Sequence, residues 1–375
     1  MKKYIISLIT VISIFALASC SGAKVEIPEA DEVICQSIEA GTIPGAVLAV
    51  VKGDRVVYKK AYGNKFLVPK VEPMTEDVIF DIASITKPVG TAMSLMQLVE
   101  QGKVDLKANI GTYLPDFDPD ENITVEELLS HTSGLLNYHG PVRTMNYLGH
   151  PERLITFVAD SLPRVEKHYL YSCINMLLGK TIVENVTGDR ICDYATEHIF
   201  KPLGMKDTFY HPAGEPIEKS RYDRIAPDYS EDLLLIGDTQ DSLARMVCLG
   251  NGGNAGIFST VDDFSRLAIA LLNGGKLGNK RILKPETVRL MATPVADGRA
   301  LGWDNSSTSS FVKGDRLSDN LICHTGYSGT FFLVDFDNDL AIILFSNRLH
   351  PEDTGYRALK ADMAKVSNAV AAALL

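Results

Sequence analysis

Two apolar hairpin signatures stand near opposite ends of this chain, and they constrain its fold more than any other feature. "GAVLAVVKGD" and "RVVYKKAYG" meet at Gly53–Asp54, a hairpin turn signal. Far downstream, "GTFFLVDFDNDLAIILFSN" reads as two strands around Asp337–Asn338–Asp339, after an extended stretch at 319–325. Between them, from about 103 to 315, the pattern is mostly helices with long turns. Strands from both ends can share one sheet, and helices at 29–40 and about 355–374 can cover it. The expected class is therefore α+β. An antiparallel sheet is built from both chain ends (about 29–102 and 316–375), flanked by terminal helices, and a mostly helical subdomain (about 103–315) is inserted.

Local signals place the helices. Thr124 is an N-cap, Glu127 closes a capping box, and Ile123 can staple to Leu128 in "ITVEELLSHTSG". A helix is expected at about 85–101, ending at Gly102, and another at 175–186. "DRICDYATEHIFKPLG" gives a helix that stops before Pro202. Thr260 caps a run that ends at Gly274–Gly275, and Pro285 opens a short helix.

The first residues are a separate matter. Lys2 and Lys3 precede an apolar run that ends in Leu17–Ala18–Ser19–Cys20. The run is too short to span a membrane comfortably and reads as a secretory signal at 1–19. Its last four residues resemble a bacterial lipobox, which makes Cys20 the lipidated residue, residues 20–28 a tether and 29–375 the working domain. The alternative is an ordinary signal peptide with a chance cysteine. The lipobox reading makes the protein an exported, membrane-anchored lipoprotein.

The formal charge of −10 becomes −12 without residues 1–19, and no basic block occurs, so nucleic acid is an unsuitable partner. Cys35, Cys173, Cys192, Cys248 and Cys323 are dispersed and read mainly as small buried hydrophobes. The His residues show no metal-ligand spacing, and neither a metal nor a cofactor is expected.

Three Ser-x-x-Lys tetrads occur: Ser21–Lys24, Ser84–Lys87 and Ser310–Lys313. The first lies in the tether and the third in a Ser/Thr-rich loop. Ser84 stands where an extended segment becomes a helix, and Pro88, lacking an N–H, fits only a first helical turn. Ser84 and Lys87 share a face there. Burial and the helix dipole are both expected to lower the lysine pKa, which favours an amine able to take the serine proton. No GxSxG elbow is present. Two further motifs follow Ser84 in order, "YSC" at 171–173 and "HTG" at 324–326.

This ordered set resembles the serine β-lactamase-like and penicillin-binding-protein-like hydrolases, of the class C β-lactamase, DD-peptidase and esterase type. "LLSHTSGL", "KPLGM", "GNAGIFSTVDDFSRLAIALLNGG" and "CHTGYSGT" carry the resemblance along nearly the whole chain after residue 28. It implies that Ser84 is the acylated nucleophile, Lys87 its proton partner, and Tyr171 a second general base or acid. Tyr169 is a nearby competitor for that role. The resemblance also implies an oxyanion hole from the N–H groups of Ser84 and Tyr327, with His324, Thr325 and Gly326 on the substrate-binding strand.

Two departures bear on the substrate. Cys173 stands where the family has Asn, which weakens amide recognition, and no feature marks this thiol as a nucleophile. His324 stands where β-lactamases and DD-peptidases have a Lys that helps hold a substrate carboxylate; a largely neutral imidazole binds it less firmly. His131 reads as structural, the segment around Gln240–Asp241 as a solvated loop, and loop 135–150 as an overhang that shapes the pocket. Trp303 suits either pocket or core.

The expected function is serine hydrolysis through an acyl-enzyme on a small ester, amide or peptide. Carboxylesterase activity comes first, D-amino-acid peptidase or DD-carboxypeptidase activity second, and weak β-lactamase activity third. Acyl transfer to an alcohol, or a non-catalytic binding protein of the same fold, are the other readings.

Overall fold

The computed structural model describes residues 25–118, 122–137, 145–230, 233–296, 298–305 and 312–375. Cys20, Ser21–Lys24, His139 and Ser310 lie outside them.

Six antiparallel strands form the main sheet, in the spatial order Leu321–Gly326, Thr330–Asp335, Leu340–Ser346, Gly45–Lys52, Arg55–Phe66 and Glu72–Pro73. The two hairpins meet at the centre, where Ala46 faces Ser346 and Val51 faces Ala341. The sheet is thus closed by pairing between the chain's two ends, as the hairpin signatures imply.

Side chains alternate across each strand, so each central strand serves two cores. Ala46, Leu48, Val50, Phe331, Leu333, Ile342 and Leu344 point to one side. There they meet Ala30 and Ile34 of the helix Pro28–Glu39, and Leu359, Met363, Val366 and Val370 of the helix Arg357–Leu374. Val47, Ala49, Val51, Phe332, Val334, Ile343 and Phe345 point to the other side. Phe264 of the helix Val261–Leu272 stands edge-on to both Phe332 and Phe345 there, at 5.0 Å each. Burial on both faces explains why these strands read as unbroken apolar runs. Each fully buried Val, Leu, Ile, Met or Phe side chain contributes about 1.5–3 kcal/mol. Ile27 is also fully buried, so the packed chain begins slightly before residue 29.

Several sequence expectations shift in detail. The capping box forms, with Thr124 N–H donating to Glu127 Oε2 at 2.8 Å, but its helix is only Val125–Leu129. The helix after Ser84 is not uniform. A 3-10 turn at Ala83–Ile85 leads into a wide π-type segment, Lys87–Ala92, before the regular helix Met93–Glu100. Pro88 donates no hydrogen bond in that first stretch. Pro202 lies inside a helical turn, Lys201–Leu203, that ends at left-handed Gly204. It follows another wide segment, Thr196–Phe200, where its missing N–H is tolerated. Trp303 belongs to the core, 6.0 Å from Phe332. Cys173, Cys192, Cys248 and Cys323 are buried and Cys35 is exposed; none of these five is in a disulfide.

Candidate active site

Ser84 is presented by a strained turn. The short strand Phe80–Asp81 pairs with Ile257–Ser259, and the chain then bends sharply. Ala83 has φ of 46°, a conformation costly for a residue with a Cβ. Three contacts hold it. Asp81 Oδ1 accepts the Ala83 N–H at 2.8 Å, while the Asp81 and Ile82 carbonyls accept from Ser328 Oγ at 2.6 Å and Thr330 Oγ1 at 3.0 Å. Asp81 Oδ2 accepts from Thr239 Oγ1 and the Gln240 N–H. Burial raises the Asp81 carboxyl to about 6, against those hydrogen bonds.

Lys87 is fully buried and reaches back one turn. Its Nζ donates to Ser84 Oγ at 2.8 Å and to the Asn254 carbonyl at 3.0 Å. It stands 4.9 Å from the Tyr171 ring centroid. Burial pulls the ammonium pKa down. Cys173, hydrogen bonding and charge at Tyr171, and Asp241 outweigh it, and the pKa rises to about 12. This reverses the sequence expectation of a lowered lysine. Burial was foreseen, but the groups that compensate it come from distant segments.

Tyr171 precedes the helix Cys173–Thr187 and is half-buried between two imidazoles. His131 lies 4.7 Å and His324 6.3 Å away, ring centroid to ring centroid. His131 is buried, and its Nδ1 faces the Ser172 N–H at 3.3 Å and Asn175 Nδ2 at 3.1 Å. As an acceptor it is neutral, and burial beside Arg299 and Lys87 keeps its pKa well below the usual value. It packs under Tyr171, in keeping with a structural role. The Cys173 N–H donates to Asn137 Oδ1 at 2.8 Å, which ties the start of loop 135–150 to the site. Residues 138–144 of that loop lie outside the described residues.

The strand Leu321–Gly326 forms the facing wall. His324 Nδ1 donates to the Thr325 carbonyl at 2.9 Å, so its Nε2 is left as an acceptor. Burial, Arg299 and Lys87 hold its pKa well below the usual value, which makes it neutral as the sequence suggests. Gly326 has no room for a side chain. A Cβ there would lie 2.1 Å from Thr330 Oγ1 and 2.4 Å from the Ile82 carbonyl oxygen. Tyr327 follows at the mouth and is 45% exposed.

Ser84, Tyr171, His324, Thr325 and Tyr327 line one pocket of about 300 Å³ together with Tyr169, Arg299, Asp304, Tyr356 and Lys360. Lys87 and Cys173 lie buried behind it. Sequence reasoning missed Arg299, Asn254 and Asp81. It also misread the segment at Gln240–Asp241. Asp241 Oδ1 accepts from Asn254 Nδ2 at 2.9 Å, and so braces the residue whose carbonyl receives Lys87. The one signal available was the turn-rich "NGGNAG" at 251–256, where a Cβ on Gly253 would lie 2.1 Å from the Met176 carbonyl oxygen.

The family model described as Beta-lactamase matches residues 30–365. An N-acetylmuramyl-L-alanine amidase of Bacillus subtilis (strain 168) is 31% identical over 355 residues, covering 85% of this chain and 80% of that protein. An Escherichia coli (strain K12) protein whose name proposes a D-alanyl-D-alanine carboxypeptidase is 27% identical, covering 88% and 84%. Among solved structures, EstCE1, a hydrolase with promiscuous acyltransferase activity, superposes with a TM-score of 0.69 at 20% identity, over 90% of this chain and 98% of that one. The chain belongs to the beta-lactamase family of serine hydrolases.

Proposed function

We propose that the protein hydrolyses small amide or peptide bonds through an acyl-enzyme on Ser84, and that esters of the same acids serve as faster surrogate substrates. The observation that carries this reading is the 2.8 Å hydrogen bond from the buried Lys87 Nζ to Ser84 Oγ. A charged Lys87 cannot take the serine proton, so in this reading Tyr171 acts as its phenolate and takes that proton while the ammonium stabilises the developing alkoxide. Oγ then bonds to the carbonyl carbon, the C–N bond breaks, and Tyr171 returns the proton to the leaving nitrogen. In deacylation water gives one proton to Tyr171 and its hydroxyl to the acyl carbon, the bond from that carbon to Oγ breaks, and Tyr171 passes the proton to Ser84 Oγ. The N–H groups of Ser84 and Tyr327 receive the oxyanion. The relatives named for amidase and carboxypeptidase activity favour amide chemistry over the ester-first expectation.

A second reading, ester hydrolysis with acyl transfer to an alcohol, is favoured by the neutral His324, whose Nε2 can accept from a hydroxyl. A panel of acyl amides, D-Ala peptides, esters and β-lactams, each with and without an alcohol acceptor, separates the two. Amide cleavage lost in Ser84→Ala supports the first; ester-only turnover with transfer products supports the second.

We further propose that lipidated Cys20 anchors the domain through the short stretch between it and the packed Ile27, on the strength of Leu17–Ala18–Ser19–Cys20 after a short apolar run. Among the described residues no helix is long and apolar enough to cross a membrane. Incorporation of labelled fatty acid in the wild type and its loss in Cys20→Ser is the test.

A further inference from the structure

Both N–H groups proposed as oxyanion donors lean on one buried carboxylate that none of the three motifs contains. Asp81 is 2% exposed and precedes Ser84 in the same bend. Its Oδ1 accepts the Ala83 N–H at 2.8 Å, and its Oδ2 accepts from Thr239 Oγ1 at 2.8 Å and from the Gln240 N–H at 2.9 Å. The first contact closes the left-handed turn that presents the Ser84 N–H. The other two hold the segment that runs into Asp241, which braces Asn254 and so the Lys87 contact. The Asp81 carbonyl accepts from the Oγ of Ser328, the chain neighbour of Tyr327, at 2.6 Å. One residue thus touches the supports of the nucleophile, the second N–H and the ammonium.

Every partner of the carboxylate is a donor, and two of the three are backbone N–H groups that cannot turn round. An amide at position 81 would aim its NH2 at one of those N–H groups in either orientation. No cation pairs with Asp81 among the described residues. Burial pushes the carboxyl up to about 6 against the three donors, and the Asp241 charge adds to the rise. The other nearby carboxyl is Asp228, on the strand Asp228–Ser230. Its Oδ1 is buried with no partner among the described residues, and burial beside the Asp81 charge holds its pKa well above the usual range, so it is neutral. Arg348 stands near Asp228 but is paired with Asp353. The strand Ile257–Ser259 and residues 328–330 bring no titratable side chain. A buried carboxylate without a cation costs stability, and the fold keeps this one at the turn that carries Ser84.

We propose that Asp81 is a positioning residue for catalysis: as a carboxylate it holds the turn that aims the Ser84 N–H, and protonation or an amide at this position loosens that turn. The role rests on the reading of Ser84 as the nucleophile. A neutral acceptor binds the Ala83 and Gln240 N–H groups more weakly than a charged one. Yet protonation of a buried acid whose native pKa is raised favours the fold as pH falls. Activity and stability therefore respond to the Asp81 proton in opposite directions, whereas a merely structural residue would lose both together.

The test is the pH profile of kcat/KM for p-nitrophenyl acetate, an ester with no titrating group, in the full-length wild type, Thr239→Val and Asp81→Asn. The wild type should lose activity on an acid limb near pH 6. Thr239→Val, which removes one donor and keeps both backbone ones, should move that limb up by about one pH unit. Asp81→Asn should lower kcat by about 10²-fold with KM within about threefold, and its profile should lack the limb. Where the asparagine variant does not fold, the displacement in Thr239→Val decides. A wild type without the limb, a limb that Thr239→Val leaves in place, or a full kcat in folded Asp81→Asn overturns the role. Amide exchange at Ala83, about tenfold faster in Asp81→Asn, reads the turn without turnover. Ester cleavage that persists in Ser84→Ala therefore contradicts the nucleophile reading alone.

Discussion

Arg348 grips the carbonyl of Tyr327 with two donors, Nε at 3.1 Å and Nη2 at 2.7 Å. The guanidinium is fully buried, lies 4.6 Å from the Tyr327 ring centroid and pairs with Asp353. The Arg348 N–H also donates to the Ser328 carbonyl at 2.8 Å. Both sides of the turn that aims the Tyr327 N–H are therefore anchored to one residue. Loss of that anchor should leave substrate binding largely intact and misplace the N–H proposed as an oxyanion donor. Arg348→Met should lower kcat by about 10²-fold with a much smaller change in KM, and Arg348→Lys should fall between. Steady-state kinetics on a p-nitrophenyl ester check this, and an unchanged kcat contradicts it.

Gly326 brings the strand Leu321–Gly326 against the turn that presents Ser84. Its missing Cβ leaves the space that Thr330 Oγ1 and the Ile82 carbonyl occupy. Gly326→Ala must push the strand away from Ala83, whose left-handed conformation depends on those same neighbours. Activity should fall by about 10²-fold or more, and stability by about 1–3 kcal/mol. Urea unfolding and ester turnover on one preparation measure both. A fully active variant shows that the strand does not need this close approach.

The hairpins, the Thr124 capping box and the bend at Ser84 were legible because each is encoded within a few consecutive residues. The site's polar framework was not. Lys87 meets Asn254 across 167 positions, and Asp81 meets Gln240 across 159. The direction of the Lys87 shift was misread for the same reason. Burial follows from the local apolar pattern, but the opposing influence of Cys173, Tyr171 and Asp241 exists only once the chain has folded. Arg299 gave no signal, since a lone arginine in "DGRALGW" looks like any surface residue until its burial is seen.

The neutral His324 makes a pH prediction. Its native pKa is held well below 6.5, while the unfolded imidazole titrates near that value. As pH falls below about 6.5 the unfolded chain takes up a proton that the native state refuses, so stability is lost toward acid. One such group contributes up to about 1.4 kcal/mol per pH unit. His131 acts in the same sense, and Asp81, raised to about 6, acts oppositely as pH falls toward the ordinary carboxylate range. Both are common to wild type and His324→Gln, so the difference between the two proteins isolates His324. Unfolding free energies at pH 6.5 and 5.5 should fall less steeply in His324→Gln. Equal slopes contradict a neutral, buried His324.

The most direct measurement is intact-mass analysis after exposure to a fluorophosphonate. The wild type should gain one adduct, mapped to Ser84, and Ser84→Ala should gain none. Lys87→Met should label slower by about 10²-fold or more, because the buried ammonium proposed to stabilise the alkoxide is gone. An unlabelled wild type, or an adduct that persists in Ser84→Ala, contradicts Ser84 as the nucleophile.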